Sequence, residues 1–129
     1  MAITDLHELL SAMRPVLNRG VYVYCVIPHA ADATGMNAIA TFRETEGTTV
    51  ILEEPVAAAH RLTALFRAAW ITLTVNSDLH AVGLTAAVAA ALADAGISCN
   101  VVAATHHDHL FVPVDRAEAA MQVLRRLQA

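Results

Sequence analysis

The order of secondary structure is clearest in residues 70–114, which read WITLTVNSDLHAVGLTAAVAAALADAGISCNVVAATHHDHLFVPV. Residues 70–76 alternate apolar side chains with Thr and Asn, which predicts a strand with one buried face and one polar outer face. The Ala-rich stretch that follows predicts a long helix. Ser77 or Asp78 would cap this helix, and Gly96 is placed where a residue in the left-handed conformation would end it.

The rest of this half of the chain adds a hairpin and a second helix. Ile97–Thr105 and His109–Val114 are predicted strands. Asp115, with Glu118 three residues later, forms a capping box for a helix that continues to the end. The half therefore has the order β-α-β-β-α. A ferredoxin-like βαββαβ unit has one more strand, which we expect to come from the first half of the chain or from a partner.

The first half contains a similar set of elements. The sequence predicts an amphipathic helix at about Thr4–Met13, a strand at Gly20–Ile27, and two further strands near Asn37–Glu44 and Thr48–Glu53. A helix opened by Pro55 follows. After the first of these strands there is only a loop, at the place where the second half has its long helix.

An internal repeat connects the two halves. Residues 38–59 align with residues 99–120, and both segments run through strand, turn, strand, acidic helix start and Ala-rich helix. The sequence therefore predicts an α+β chain of two tandem ferredoxin-like units, each with an antiparallel sheet and helices on one face. We expect an incomplete N-terminal unit at residues 1–66 and a second unit at residues 67–129.

Composition excludes several classes of partner. The net charge is −4 and the chain has no Lys, so it lacks the clustered cations that bind nucleic acid or anionic membranes. No apolar run approaches the ~20 residues of a membrane span, and no signal peptide is visible. Cys25 and Cys99 lie in apolar strand-like runs, as expected for reduced thiols in a cytoplasmic protein. The 57% apolar content suggests that part of the surface is buried against another chain.

Catalytic motifs are missing from the sequence. It contains no GxSxG nucleophile elbow, no GxxxxGK[ST] phosphate loop, no GxGxxG fingerprint and no HExxH pair. We therefore expect a non-catalytic protein that needs no cofactor.

The first candidate binding site is the segment that connects the strand at residues 70–76 to the long helix. Free backbone N–H groups at a helix N-terminus attract a carboxylate, and Gly83 would let a ligand approach closely. Ser98 and Asn100 alternate with apolar residues on the next strand and could read the charged groups of a small zwitterion. The alternatives are that Ser77 and Asp78 only cap the helix and that Ser98 and Asn100 only face solvent.

The second candidate site is the histidine-rich turn. His107 and His109 alternate on a strand edge, with His106 or Asp108 available as a third ligand, a set that could hold Zn²⁺ or Ni²⁺. The alternative is a polar hairpin turn whose histidines are hydrogen-bonded or face a dimer partner.

Residues 71–127 resemble an ACT domain, the small-molecule-binding regulatory module of amino-acid metabolism. The resemblance rests on the first strand, the loop to the Val82-Gly83-Leu84 helix start, the second strand AGISCN at residues 95–100, and the acidic helix start before RAEAA at residues 116–120. The second half looks especially like the regulatory ACT repeats of aspartokinases. With YVYCVIP at residues 22–28, TFRETEGTTVILEE at residues 41–54 and HHDHLFVP at residues 106–113, the whole chain is similar to small stand-alone bacterial proteins made of two tandem ACT-like units.

The resemblance implies a ferredoxin-like fold, paired side by side into a longer sheet, that binds an amino acid between units. Carried onto this chain, the ligand-binding positions are Asn76, Ser77, Leu79, Val82, Gly83, Ser98 and Asn100. We expect one site per chain or none, in a homodimer or higher homo-oligomer that signals to a separate protein partner. The alternatives are a metal-responsive module that uses His106, His107 and His109, and a dimerisation module without a ligand.

Overall fold

The computed structural model describes residues 5–74 and 83–128. The chain has an α+β fold with antiparallel sheets. The described elements, in chain order, are α1 Leu6–Ala12, β1 Pro15–Leu17, β2 Tyr22–Ile27, β3 Ala40–Arg43, β4 Thr48–Glu53, α2 Glu54–Ala59, β5 Phe66–Leu73, α3 Leu84–Asp94, β6 Asn100–Ala103, β7 Asp108–Pro113 and α4 Ala117–Gln128. Single 3-10 turns lie at Thr34–Met36 and Val114–Arg116.

The chain forms two compact units. Met1–Arg19 belong with Ala69–Ala129 in what we call the composite unit, and Gly20–Ala68 form the central unit. Residues 5–19 thus pack with described residues of the second half of the sequence. The division into residues 1–66 and 67–129 stays a prediction about the sequence repeats, because the bounds of the compact units differ from it.

The sheet of the composite unit has the order β1-β5-β7-β6. β1 is antiparallel to β5, with Pro15 opposite Leu73, and β6 is antiparallel to β7, with Asn100 opposite Phe111. From β5 onward the chain runs β-α-β-β-α, and β1 supplies the fourth strand of the ferredoxin-like arrangement. Of the two expected sources of the missing strand, the first half of the chain and a partner, the structure shows the first half.

The sheet of the central unit has the order β3-β4-β2-β5. The three residues Phe66–Ala68 of β5 pair with Tyr24–Tyr22 of β2 and close this sheet. The segment between β2 and β3 carries a 3-10 turn where the composite unit has α3, as the sequence predicts. Each unit therefore has the same strand order: Phe66–Ala68 of β5 form the edge of the central set, and the rest of β5 lies second, beside β1, in the composite set.

Each unit has its own apolar core. The core of the composite unit lies between one face of its sheet and the helices α1, α3 and α4, and is formed by Leu9, Met13, Ala69, Ile71, Leu73, Leu84, Val88, Leu92, Ile97, Leu110, Val112, Ala120, Met121, Val123 and Leu124. The core of the central unit is smaller and is formed by Val23, Cys25, Ile27, Met36, Val50, Leu52 and Ala57.

The ends of α3 show which local signals hold. At its C-terminus Gly96 is left-handed with φ 74°, its N–H donates to Ala93 O, and the Ile97 N–H donates to Leu92 O. These two bonds form a Schellman motif, so the predicted helix stop at Gly96 is confirmed. The predicted caps Ser77 and Asp78 lie outside the described residues. The described helix begins at Leu84.

Other local predictions are shifted by a few residues. The first helix begins at Leu6 and is capped by Asp5, whose carboxylate accepts from the Glu8 N–H at 3.0 Å. The last helix begins at Ala117, because Val114–Arg116 form a 3-10 turn first. Thr72 is only 9% exposed, so the face of β5 predicted to be polar and solvated is largely buried at this point.

None of the described helices has the length and apolar composition needed to cross a bilayer.

Candidate functional site

Four of the seven predicted ligand-binding residues, Asn76, Ser77, Leu79 and Val82, lie outside the described residues. The other three, Gly83, Ser98 and Asn100, belong to the composite unit. The described part of this candidate site consists of the strand before residues 75–82, the helix after them and the start of the next strand.

The strand that enters the loop is held by the N-terminal segment. The backbone N–H of Thr74 and its Oγ1 both donate to Arg14 O, at 2.9 Å and 2.8 Å. Asn18 N–H donates to Trp70 O at 2.9 Å. The end of β5 and the residue after it are thus held by residues 52 and 60 positions earlier in the chain.

Gly83 stands directly before α3 in a conformation that favours glycine. Its φ is 108°, and its carbonyl accepts the first described bond of the helix, from the Ala87 N–H at 2.8 Å. A Cβ at this position would lie 3.2 Å from Leu6 Cδ2. Both the positive φ and the nearby Leu6 side chain disfavour any residue with a Cβ at this position, so the backbone here carries no side chain.

Ser98 and Asn100 have the predicted orientation. Both are exposed, whereas Ile97 is buried and Cys99 is half-buried, which is the alternation expected for a strand start. Both polar side chains are therefore accessible to a ligand or to a second protein surface.

One composite unit does not bring Gly83 and Ser98 together. Gly83 and Leu92 are nine residues apart, which is about 14 Å along a helix axis. Ile97 is bonded to Leu92, so Ser98 follows at the far end of α3. The ammonium and carboxylate of a free amino acid share one carbon atom, so a single unit cannot offer one group to Gly83 and the other to Ser98.

The histidine-rich turn is arranged differently from the metal hypothesis. His106 and His107 are exposed in the turn, and His109 lies on β7. The ring centroids of His107 and His109 are 6.4 Å apart. Within residues 5–74 and 83–128, no group of three His, Cys, Asp or Glu side chains could hold a metal ion.

The ring of His109 is committed to a hydrogen-bond network. Its Nδ1 lies 3.0 Å from Trp70 Nε1 and 3.2 Å from Thr72 Oγ1, while Thr72 Oγ1 accepts from Asn18 Nδ2 at 2.9 Å. An indole N–H can only donate, so Nδ1 is an acceptor and the neutral ring carries its proton on Nε2. A metal ligand binding through Nε2 needs the opposite tautomer. The network therefore disfavours His109 as a metal ligand.

Burial shifts the titration of both neighbours in this strand. The pKa of His109 is lowered, first by burial and then by the charge of His107, against a raising effect of Asp108. The pKa of Asp108 is raised by burial, partly offset by His109 and His107.

The sequence pattern does not indicate the hydrogen-bond network around His109, because Asn18, Trp70 and His109 are far apart along the chain.

The thiols offer no nucleophile. Cys25 is buried and Cys99 half-buried, and both are free. Burial raises the pKa of Cys99 to about 11, so its thiolate is scarce at neutral pH.

An open groove of about 440 Å³ lies between α3 and α4, lined by Ala91, Asp94, Ala95, Val123, Arg126 and Leu127. None of the predicted ligand-binding residues lines it.

Comparisons with known proteins give consistent matches over the whole chain. Residues 1–69 and residues 66–126 each match a model described as an ACT domain. A Vibrio cholerae protein, described as of unknown function and a possible transport protein, has 45% sequence identity and a TM-score of 0.88, covering 96% of each chain. No protein of curated function matches.

Solved structures of lower identity share the fold. The regulatory subunit of aspartate kinase from Thermus flavus has 12% identity and a TM-score of 0.63, covering 92% of this chain and 99% of that one. A protein from Agrobacterium tumefaciens has 15% identity and a TM-score of 0.69, covering 90% and 89%. The two tandem matches, which together span residues 1–126, place the chain in the ACT domain family.

Proposed function

We propose that this protein is a non-catalytic regulatory module that binds a free amino acid. The observation that carries the proposal is the pair of tandem ACT domain matches, joined to a fold shared with a regulatory subunit of aspartate kinase. In the composite unit a firmly held strand leads through residues 75–82 to the bare backbone of Gly83. This is the order in which the resemblance places the ligand-binding loop.

The ligand would lie between two copies of the chain. Its carboxylate would bind the backbone of residues 79–83 of one copy, near the positive end of α3. Its ammonium would bind Ser98 and Asn100 of the second copy, because one unit holds these residues too far from Gly83. Asn76, Ser77, Leu79 and Val82 would complete the loop side of the pocket. This makes the working form a homodimer or a higher homo-oligomer.

Ligand binding would act as a signal by changing the stability of this assembly. A ligand that binds only the assembled form shifts the equilibrium by its differential affinity. The recipient of the signal would be a separate protein partner. We place the module in the cytoplasm, in keeping with its two free cysteines.

A thermal-shift screen against the twenty amino acids tests this proposal. At about 100 times Kd, a ligand that binds only the folded form adds about 2.7 kcal/mol to the free energy of unfolding. We expect one amino acid, or a chemically related pair, to raise the melting temperature while the others leave it unchanged. No shift with any of the twenty would contradict amino-acid binding and leave a dimerisation module without a ligand.

A further inference from the structure

The composite sheet has a second face, which we define as the face opposite the helices. Ala69, Ile71 and Leu73 of β5 point into the helix-packed core, so Trp70 and Thr72 point to the second face. On β7, Leu110 and Val112 point into the core. His109 and Phe111 therefore lie on the second face, together with Trp70 and Thr72. Phe111 is only 1% exposed, and its ring stacks on Trp70 at 6.4 Å with a 17° interplanar angle.

His109 is the junction of the polar contacts on this face. Its Nδ1 accepts from Trp70 Nε1 and faces Thr72 Oγ1, and its ring lies 5.7 Å from the Trp70 ring. Asn18 then links Thr72 and the Trp70 carbonyl, at 2.9 Å and 3.1 Å, to the segment after β1. One imidazole acceptor thereby connects β7 to β5 and, through Thr72, to the segment after β1.

Protonation of this imidazole reverses its role. His⁺ carries a proton on both ring nitrogens and is a donor only, so its Nδ1 cannot accept from Trp70. The indole N–H has no alternative role and would face another donor. A hydrogen bond that joins the two strands would become a repulsive contact between two donors.

We propose that His109 is a proton-sensitive latch on the second face of the composite unit, which holds the side chains of β5 and β7 together when neutral and releases them when protonated. The latch does not depend on the identity of any ligand. It responds to acidification below neutral pH.

The charged surroundings set the direction of the response. Among the described residues, the titratable groups that act on His109 are His107 and Asp108, both in its own hairpin. Its partners Trp70, Thr72 and Asn18 are uncharged, and the paired strand Asn100–Ala103 has no titratable side chain. Burial and the positive charge of His107 both oppose protonation, so the pKa of His109 is lowered from 6.5. The latch therefore stays closed at neutral pH.

The sign of the stability effect follows from the same shift. Unfolded His109 binds a proton at higher pH than folded His109, so the unfolded state gains protons first as the pH falls. The stabilisation is fully present above pH 6.5 and is lost as the pH drops from 6.5 through the lower folded pKa. The melting temperature should fall over this range in the wild type, and should fall less in His109→Gln.

Trp70 is the single tryptophan in the chain, so its fluorescence reports on the latch directly. In a titration from pH 8 to pH 4.5, we expect a loss of intensity with a midpoint below 6.5, because protonated imidazole quenches an adjacent indole. His109→Gln should abolish the transition. His107→Gln is the matched control: it should keep the transition and raise its midpoint, because a neighbouring positive charge has been removed.

Two results would overturn the proposal: a wild-type titration without a transition, or the same transition in His109→Gln. Circular dichroism on the same samples separates latch opening from global unfolding. If the variant does not fold, the fluorescence titration of the wild type alone still tests the proposal.

NMR titration of the wild type gives a second test. The single indole N–H resonance should shift at the same pH as the ring nitrogens of His109, and these nitrogens should show the Nε2–H tautomer above pH 7. The opposite tautomer or an independent titration would contradict the latch.

Discussion

At the scale of single residues, two glycines of the central unit differ in whether a side chain would fit at their positions. Gly47, in the turn between β3 and β4, has φ 153°, and a Cβ there would lie 2.8 Å from Ile27 O and 2.9 Å from Val26 Cγ1. Gly35, in the 3-10 turn of the same unit, has nothing within 4 Å of its would-be Cβ. The two glycines therefore differ in what they do for the fold.

We expect Gly47→Ala to lower the free energy of unfolding by about 1–3 kcal/mol, because the substitution forces a strained dihedral angle and a backbone collision. Gly35→Ala is the control and should leave stability within about 1 kcal/mol, in the stabilising direction, because it only restricts the unfolded chain. Urea denaturation of both variants measures the difference. Equal costs at the two positions would contradict the turn geometry.

The same scale shows where sequence patterns are insufficient. The spacing of His107 and His109 leaves two alternatives, a metal ligand pair or a polar hairpin with hydrogen-bonded histidines, and the structure gives His109 Nδ1 to Trp70 and Thr72. These partners are 39 and 37 residues away in the sequence. A side chain's hydrogen-bond partner depends on which strands become neighbours, and no local spacing carries that information.

At the scale of elements, the N-terminal segment completes the composite unit. α1 contributes Leu9 to its core, Met13 directly after α1 adds a second buried side chain, and β1 pairs with β5. The hydrophobic patterns predict most helices and strands, and the missing fourth strand follows from counting strands against the ferredoxin-like order. The identity of that strand could not be predicted from its own residues, because Pro15–Leu17 is only three residues long and has no alternation to read.

This assignment predicts that α1 is a core element although it lies at the start of the chain. Leu9→Ala should cost about 2–5 kcal/mol, the range for emptying a fully buried site, since Leu9 is 0% exposed. Leu6→Ala, on the same helix but 37% exposed, should cost no more than roughly 1 kcal/mol. Thermal and urea unfolding of both variants test this. If Leu9→Ala is as mild as Leu6→Ala, α1 is not part of the core.

At the scale of the whole molecule, the strand order explains how two ACT repeats fit into 129 residues. The first residues of β5 belong to the central unit and the rest to the composite unit, and the central unit is a continuous stretch that divides the sequence of the composite unit in two. The family and fold could be predicted from the repeat and the resemblance. The geometry of the proposed ligand site could not, because the length of α3 separates Gly83 from Ser98. This separation is why we propose that a second copy supplies the other side of the site.

A site shared between two copies predicts that a mixture of two non-binding variants regains some binding. Asn76→Ala alters the loop side of the pocket and Ser98→Ala alters the strand side, so each variant alone should fail to bind. When the two chains are co-expressed, half of the dimers contain one of each, and such a dimer has one intact pocket. Ser11→Ala, an exposed serine of the same unit, is the matched control and should bind like the wild type.

The most direct test is calorimetric titration of these samples with the amino acid that stabilises the wild type most. We predict one ligand per wild-type chain and no binding by either single variant. In the co-expressed mixture we expect about a quarter of the number of sites in the wild type, as two-fold symmetry requires. Wild-type protein that binds no amino acid, or a mixture that binds none while the wild type binds, would contradict this prediction.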